Sequence, residues 1–183
     1  MRIAALILAA GASTRFGSPK QLARIGDRTM LVTVVDLARE AGLDPIVAVV
    51  APGIAVAPDV VPIVNTQPDA GLSRSLMMGI AGMPVEVDGA VILLGDQPTL
   101  AVATIRAVLE APRNGRPVTA ARADRRLGPP VLIMRMAFGV ALGAIGDEGL
   151  RSILTRNPEL VTPVDVETHA PDVDTPADLE RLA

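Results

Sequence analysis

The sequence has 183 residues, 50% hydrophobic and 20% charged, with a formal net charge of −3, which is typical of a globular chain without a basic surface for nucleic acid. Aromatic residues make up 1%, which excludes a stacking surface for single strands, and the lack of cysteine excludes disulfides, cysteine-ligated zinc and thiol nucleophiles. No apolar run approaches the roughly 18 residues of a membrane helix, so we predict a cytoplasmic protein of one domain, residues 1–183, with no membrane or nucleic-acid partner.

Short apolar runs alternate with segments of helical spacing through the first half of the chain. Four runs rich in Val, Ile and Leu predict strands buried on both faces, as in a parallel sheet: residues 3–8, 45–50, 61–64 and 90–94. Three segments carry apolar residues at helical spacing: 29–41, 73–81 and 99–111. This alternation predicts a three-layer α/β/α, Rossmann-like fold around a mostly parallel open sheet.

The second half is less regular and is predicted to add three strands and three helices. The predicted strands are 117–121, 130–134 and 160–166, and a polar turn at 122–128 separates the first two. The predicted helices are 136–142, 148–155 and 175–182. Thr175 is placed to cap the last of these, with Pro176 at its first position and Asp178 at the third.

A glycine-rich, cationic loop follows the first predicted strand. It reads AAGASTRFGSPK and contains Arg15 and Lys20 but no acidic residue. It matches neither the P-loop nor the G-x-G-x-x-G dinucleotide pattern. Small residues nevertheless let backbone N–H groups approach phosphate oxygens, and the two cations would neutralise phosphate charge. The loop therefore predicts a polyphosphate site, the alternative being a solvated surface loop.

Two acidic residues lie after other predicted strands. Asp96 follows the strand at 90–94 within GDQP, and Asp174 precedes the last helix within DVDTPADL. Either carboxylate could instead cap the helix that follows it. Ligands of an open parallel sheet bind beyond the carboxyl ends of its strands, and Mg²⁺ usually takes one or two carboxylates plus phosphate oxygens and waters. Together with the cationic loop, these acids predict a magnesium site.

These motifs resemble those of the MobA-like nucleotidyltransferases, and in particular the molybdenum cofactor cytidylyltransferase (MocA-like) branch. LAAGASTRFGSPK is similar to the family signature L-A-A-G-x-S-x-R-x-G-x-x-K, and GDQP resembles the metal-binding strand end of that branch. GLSRSLMMGI, GDEGLRSIL and DVDTPADL continue the resemblance in order along essentially the whole chain.

The resemblance implies a fold of the nucleotide-diphospho-sugar transferase type and a Mg²⁺-dependent transfer of CMP from CTP to a phosphorylated acceptor, with release of pyrophosphate. Molybdopterin is the implied acceptor, and a chaperone of molybdoenzyme maturation is an implied partner. The second alanine of LAAG, Ala10, stands where guanylyltransferases tend to have glycine, which implies a preference for CTP over GTP.

The resemblance also implies the residues of the site. Lys20, Arg15 and Asp96 would be catalytic, and Asp96 and Asp174 would bind the metal. The residues implied in nucleotide binding are Ala9, Ala10, Gly11, Ala12, Arg15, Lys20, Asn65, Ser75 and Gly95, with Ser75 helping to read the base. His169, the only histidine, is predicted to be an inert loop residue.

Two positions depart from the branch. Pro68 stands where a tryptophan is frequent, and Gly128-Pro129-Pro130 replaces Gly-His-Pro before a strand. Both are expected towards the acceptor, so alternatives to molybdopterin stay open. These are a sugar- or polyol-phosphate acceptor, a nucleotide-binding factor without turnover and, as an outsider, an NAD(P)-dependent oxidoreductase.

Overall fold

The structure is a computed structural model that describes residues 1–11, 13, 16–143 and 149–182. Its strands are β1 (Ile3–Ala9), β2 (Arg24–Ile25), β3 (Arg28–Thr29), β4 (Ile46–Val50), β5 (Val60–Val64), β6 (Gly89–Leu94), β7 (Val118–Ala123), β8 (Arg126–Met134) and β9 (Val161–Asp165). Its helices are α1 (Met30–Glu40), α2 (Leu72–Ala81), α3 (Val102–Glu110), α4 (Phe138–Ala141), α5 (Gly149–Arg156) and α6 (Pro176–Glu180).

Seven strands form one open sheet in the order β5-β4-β1-β6-β8-β7-β9. Every pairing in it is parallel except the two made by β8, which runs against β6 on one side and β7 on the other. The prediction of a mostly parallel open sheet is confirmed. Because the chain passes from β1 to β4 and β5 on one side and only then to β6 on the other, the strand order reverses between β1 and β6.

The sheet is covered on both faces, which explains why its central strands are apolar throughout. All seven residues of β1 are buried, and successive side chains point to opposite faces. Those at even positions join a core with α2, α4 and α5, whereas those at odd positions join a second core with α1 and α3. These two cores complete the predicted α/β/α layers.

The polar turn predicted at residues 122–128 is wrong. The chain turns over only Asp124 and Arg125, which have positive φ angles of 49° and 64°, and β8 begins at Arg126. Two residues of positive φ form a tight turn whose twist matches that of a β-hairpin, so both strands extend through the polar segment.

A small hairpin of β2 and β3 was not predicted. It lies just before α1, and its last residue, Thr29, also caps that helix, because its hydroxyl accepts a hydrogen bond from the N–H of Val32. The cap predicted for the last helix is present too: the side chain of Thr175 accepts from the N–H of Asp178. The longest helix in the described part of the chain, α1, has 11 residues, about half of what a bilayer crossing requires.

Candidate active site

The site lies where the strand order reverses, at the carboxyl ends of β1 and β6. The N–H of Gly95 donates to the carbonyl of Leu8 at 2.9 Å, which keeps the two strand ends together. A Cβ on Gly95 would lie 2.6 Å from the Cβ of Ala9, so only glycine permits this approach. The close packing of the strand ends fixes where the next residue, Asp96, leaves the sheet. Ligands of open α/β sheets bind at such a reversal.

Lys20 joins two acidic residues at this place. Its Nζ lies 2.8 Å from Oδ2 of Asp96 and 2.9 Å from Oδ1 of Asp174, and only 12% of the lysine side chain is exposed. Burial disfavours the charged ammonium, but attraction to Asp96 and the hydrogen bonds to both carboxylates outweigh it, so the pKa of Lys20 is raised. Three of the four side chains on which the predicted polyphosphate site depends therefore converge. The fourth, Arg15, lies outside the described residues.

Backbone hydrogen bonds bring Asp174 to Asp96. The N–H of Val173 donates to the carbonyl of Asp96 at 2.8 Å. The carboxylate of Asp178 accepts from the N–H groups of Asp174 and Thr175 at 3.2 and 2.9 Å, as part of the capping box of α6. The segment before α6 is thus anchored at both ends.

Helix capping does not account for either acid. The residue that caps α3 is Ala101, and the one that caps α6 is Thr175. Oδ1 of Asp96 is buried and has no hydrogen-bond partner within the described part of the chain. A buried carboxylate oxygen without a partner is costly, and a cation would satisfy it.

The acidic residues at this place fit a metal whose remaining ligands come from the substrate and from water. No group of three His, Cys, Asp or Glu residues suited to a metal occurs in residues 1–11, 13, 16–143 and 149–182. Asp96 and Asp174 alone supply two carboxylates. Mg²⁺ is commonly bound in this way, by one or two carboxylates together with phosphate oxygens and water.

Three adjoining cavities run along this edge of the sheet. The strand-end cavity, about 180 Å³, is lined by Leu8, Ala9, Gly11, Lys20, Gln21, Leu72, Leu94, Gly95, Asp96 and Asp172. The loop cavity, about 560 Å³, shares Gly11 and Gln21 with it and includes Ser13, Gly17 and Ala51. The arginine cavity, about 490 Å³, shares Leu72, Leu94 and Asp172 with it and includes Arg151 and Arg156. Because each neighbouring pair shares lining residues, an elongated ligand could extend through all three.

The arginine cavity combines a leucine wall with positive charge. Leu127 and Leu150 complete the wall, and α5 contributes Arg151 and Arg156. Both arginines are exposed, and neither has an ion pair with another described residue. The cavity is therefore suited to an anionic molecule with an apolar or planar body.

Gln21 is a buried polar residue that the sequence analysis missed. It is 3% exposed, and its Nε2 donates to the carbonyl of Gly11 at 3.1 Å. Its Oε1 lies 3.5 Å from Oγ of Ser13, which in turn accepts a hydrogen bond from the N–H of Lys20 at 3.1 Å. Ser13 has a φ of 53°, which non-glycine residues seldom adopt. We call these contacts the Gln21 clamp, because they tie the start of the loop to the turn that carries Lys20.

Asp172 was missed as well. It lines both the strand-end and the arginine cavities, and Nε2 of Gln97 donates to its Oδ1 at 2.9 Å. Partial desolvation of its carboxylate in the cavity, followed by repulsion from Asp96, raises the pKa of Asp172 against the effect of this hydrogen bond. The spacing of DVD, with acids at alternate positions in an extended segment, would place both on one side of the chain and could have indicated this residue.

Asn65 and Ser75 are bound to each other. Asn65 is fully buried, and its Nδ2 donates to Oγ of Ser75 at 3.1 Å. Its Oδ1 accepts from the N–H of Gln67 and from Nε of Arg74. Neither Asn65 nor Ser75 is among the described residues that line the three cavities. Their hydrogen bonds connect the end of β5 to the first turn of α2.

The other predicted residues fall into three groups. Ala9 and Gly11 line the strand-end cavity, whereas Ala10 is 2% exposed and packs in the core with α2. Ala12, like Arg15, lies outside the described residues. Nε2 of His169 lies 3.0 Å from the carbonyl oxygen of Arg126, and His169 lines none of the three cavities.

The two departures from the family pattern lie in different cavities. Gly128 and Pro129 line the arginine cavity, but Pro68 lines the loop cavity with Gly11 and Ser13. The two positions are separated because the turn containing Pro68 follows β5, on the opposite side of β1 from β8. That both lie towards the acceptor stays a prediction.

Comparisons with known proteins agree with this geometry. The sequence model of the MobA-like NTP transferase domain matches residues 5–161. Nicotine blue oxidoreductase of Paenarthrobacter nicotinovorans is 30% identical over 98% of this chain and 96% of its own length. The crystal structure of Rv0371c from Mycobacterium tuberculosis H37Rv has a TM-score of 0.83 and 30% identity over 100% of this chain and 98% of that one. A structure of Rv0371C in complex with manganese has a TM-score of 0.79 and 29% identity over 100% and 97% of the two chains. The cationic loop, the acids at the strand ends and these matches agree: the chain belongs to the MobA-like NTP transferase family, as a nucleotidyltransferase.

Proposed function

We propose that this nucleotidyltransferase transfers CMP from CTP to the phosphate of molybdopterin, with Mg²⁺ as cofactor, and that residues 1–183 act as one domain in the cytoplasm. The observation that carries the proposal is the meeting of Lys20 with Asp96 and Asp174 between the loop cavity and the arginine cavity. A cationic group and a pair of metal-binding acids between two cavities suit a phosphoryl group that links two larger halves.

The three cavities divide the substrates between them. The nucleoside would lie in the loop cavity, the triphosphate would pass Gly11 into the strand-end cavity, and the acceptor would occupy the arginine cavity. The apolar wall and the two arginines of the arginine cavity suit a planar, phosphorylated acceptor such as molybdopterin. Arg15 keeps its role on the triphosphate as a prediction from the sequence. A maturation chaperone as partner likewise stays a prediction.

The reaction needs charge neutralisation more than covalent chemistry. A bond forms between an oxygen of the acceptor phosphate and the α-phosphorus of CTP, and the bond from that phosphorus to the pyrophosphate breaks, so pyrophosphate leaves. A divalent metal bound by Asp96 and Asp174 would neutralise phosphate charge there. The ammonium of Lys20 would stabilise charge on the α-phosphate and the leaving group, and the leucine wall would exclude water from the acceptor phosphate.

An assay of pyrophosphate release tests the proposal. The protein is incubated with Mg²⁺, with CTP or GTP, and with molybdopterin, a sugar phosphate, a polyol phosphate or no acceptor. We expect release that requires molybdopterin and is faster with CTP than with GTP. Pyrophosphate release with the sugar or polyol phosphate but not with molybdopterin would show that the acceptor is different and the reaction is the same. CTP binding without any release would support a nucleotide-binding factor.

A pair of variants tests the role of the acids. Asp96→Asn should reduce kcat by about 10²-fold or more, because it removes one of the two carboxylates that would hold the metal where phosphate charge develops. Asp59→Asn is the matched control, since Asp59 is 57% exposed, pairs with Arg39 and lies outside the three cavities. Full activity in Asp96→Asn would refute the metal role.

An oxidoreductase is the second candidate, and one observation favours it: the full-length relative of 30% identity is named nicotine blue oxidoreductase. Oxidation of NADH or NADPH, followed with and without an electron acceptor, separates it from nucleotidyl transfer. The loop after β1 lacks the glycine spacing of dinucleotide-binding enzymes, so we expect no oxidation of either cofactor.

A further inference from the structure

Lys20 occupies the position that a metal bound by both acids would need. Its ammonium lies within 2.9 Å of a carboxylate oxygen of each of Asp96 and Asp174. The bond from the N–H of Val173 to the carbonyl of Asp96 brings the backbones of the two acids together without involving the lysine. A divalent cation placed between the same oxygens would lie within contact distance of the ammonium.

Two cations so close repel each other strongly in a half-buried site. The repulsion between two charges about 4 Å apart is much larger near a protein surface than in bulk water, because the dielectric constant is lower there, and a divalent ion doubles it. The lysine side chain is 12% exposed and those of the acids 24% and 38%, so solvent screens the repulsion only in part. Metal and ammonium therefore compete for these carboxylates.

We propose that Lys20 is a resident counter-ion that keeps the Asp96–Asp174 site closed to metal until nucleotide phosphates attract the ammonium away. This inference rests on the proposed function, because it takes these acids as the metal site. Binding of metal and nucleotide is then mutually dependent: each raises the affinity for the other by the same factor, as thermodynamic linkage requires. The metal enters with the nucleotide, and the free protein does not retain it.

Titration with Mn²⁺ in the absence of nucleotide, followed by electron paramagnetic resonance, tests this directly. Lys20→Met should bind Mn²⁺ about tenfold or more tightly than the unmodified protein, a coupling within the usual range between linked sites. Addition of CTP should raise the Mn²⁺ affinity of the unmodified protein by a similar factor and have less effect on Lys20→Met. Equal Mn²⁺ affinity of the two proteins without nucleotide would overturn the proposal.

Two control variants locate the effect. Arg122→Met also removes one positive charge, but from the single exposed carboxylate of Asp165, and should leave Mn²⁺ affinity unchanged. The double variant Lys20→Met/Asp96→Asn should lose the affinity gained by Lys20→Met. A gain that survives in the double variant would place the metal elsewhere and overturn the proposal. Thermal unfolding of each variant establishes that it is folded.

The chain offers an independent measurement, because Lys20 is its only lysine. Lysine-selective isotope labelling therefore yields one side-chain NMR signal, which reports on this ammonium alone. We expect the signal to move on addition of CTP and to stay in place with Mg²⁺ alone. Displacement by Mg²⁺ alone would overturn the proposal while leaving pyrophosphate release intact. If the unmodified protein released no pyrophosphate but the Mn²⁺ affinities changed as expected, the proposed function would be refuted and the role of Lys20 at the metal site would stand.

Discussion

Replacement of Gln21 by methionine should weaken CTP binding about tenfold and leave the protein folded, with only a small loss of stability. Methionine has nearly the same length but donates no hydrogen bond, so Gln21→Met removes the bond to the Gly11 carbonyl and the contact with Ser13. The first bond contributes about 1 kcal/mol and the second, at 3.5 Å, less. Gly11 is exposed, so water can satisfy its carbonyl. We therefore expect a loss of about 1 kcal/mol, or a melting temperature lower by about 2–4 °C.

The effect on CTP follows from the backbone of Ser13. Its φ of 53° costs about 1–2 kcal/mol relative to ordinary backbone, and the Gln21 clamp offsets that cost. Without the clamp the loop relaxes, and CTP must supply the energy to restore it. A cost of about 1.4 kcal/mol corresponds to a tenfold weaker affinity. We expect KM for CTP to rise about tenfold with kcat much less affected.

A double-mutant cycle with Ser13→Ala tests whether the clamp acts as a unit. Steady-state pyrophosphate release provides KM for Gln21→Met, Ser13→Ala and the double variant. If the two residues act together, the double variant should be little worse than either single one, because the same contacts are lost in each. Strictly additive effects, or an unchanged KM in Gln21→Met, would refute the reasoning.

Three further substitutions separate packing from ligand binding. Gly95→Ala should lower both the melting temperature and the turnover, because the new methyl would overlap Ala9 and displace Asp96. A cost of about 2 kcal/mol corresponds to a melting temperature lower by about 4–8 °C. Calorimetry measures the melting temperature, and pyrophosphate release measures the turnover. Gly11→Ala should leave the melting temperature unchanged, since an added Cβ meets no described atom within 4 Å. The affinity for CTP, measured by isothermal titration calorimetry, should fall about tenfold, because the methyl takes up space that the triphosphate needs. Unchanged affinity would exclude Gly11 from the site. Arg156→Ala should raise KM for the acceptor about fivefold, because one partly screened charge pair with the acceptor is lost. The KM for CTP should be unchanged. An increase in the KM for CTP instead would reverse the assignment of the cavities.

The fold was predictable where apolar residues form a continuous run along the sequence. The strands β1, β4 and β6 are continuous apolar runs, because helices cover both faces, and their bounds were predicted to within one residue. β8 was predicted four residues too short because its first residues, Arg126 to Pro129, are only partly covered and show no apolar run. β2 and β3 have two residues each, too few for any periodicity.

The site residues were predictable where a charged residue occurs in a segment of small or apolar residues that follows a strand. Lys20 and Asp96 both follow strands that the sequence marks clearly, so their approach at one sheet edge could be expected. Gln21 could not be recognised in the same way, and only the alternate spacing of the acids in DVD could have indicated Asp172. A glutamine beside a lysine carries no sign of burial, and the role of Asp172 depends on Gln97, 75 positions away in the chain.

The reversed strand β8 explains how one edge of the sheet comes to hold both a loop cavity and an arginine cavity. Because β8 runs against its neighbours, its first residues lie at the carboxyl ends of the parallel strands, which brings Gly128 and Pro129 to the edge where β6 ends. The chain leaving β9 must then cross that edge to reach α6, and it passes close to Gly128 at His169 before Val173 bonds to Asp96. The reversal of β8 thus supplies one wall of the arginine cavity, and the segment after β9, a strand parallel to β7, supplies the second acid at the same edge. In a fully parallel sheet the first residues of β8, Gly128 and Pro129 among them, would lie at the opposite edge, away from Lys20.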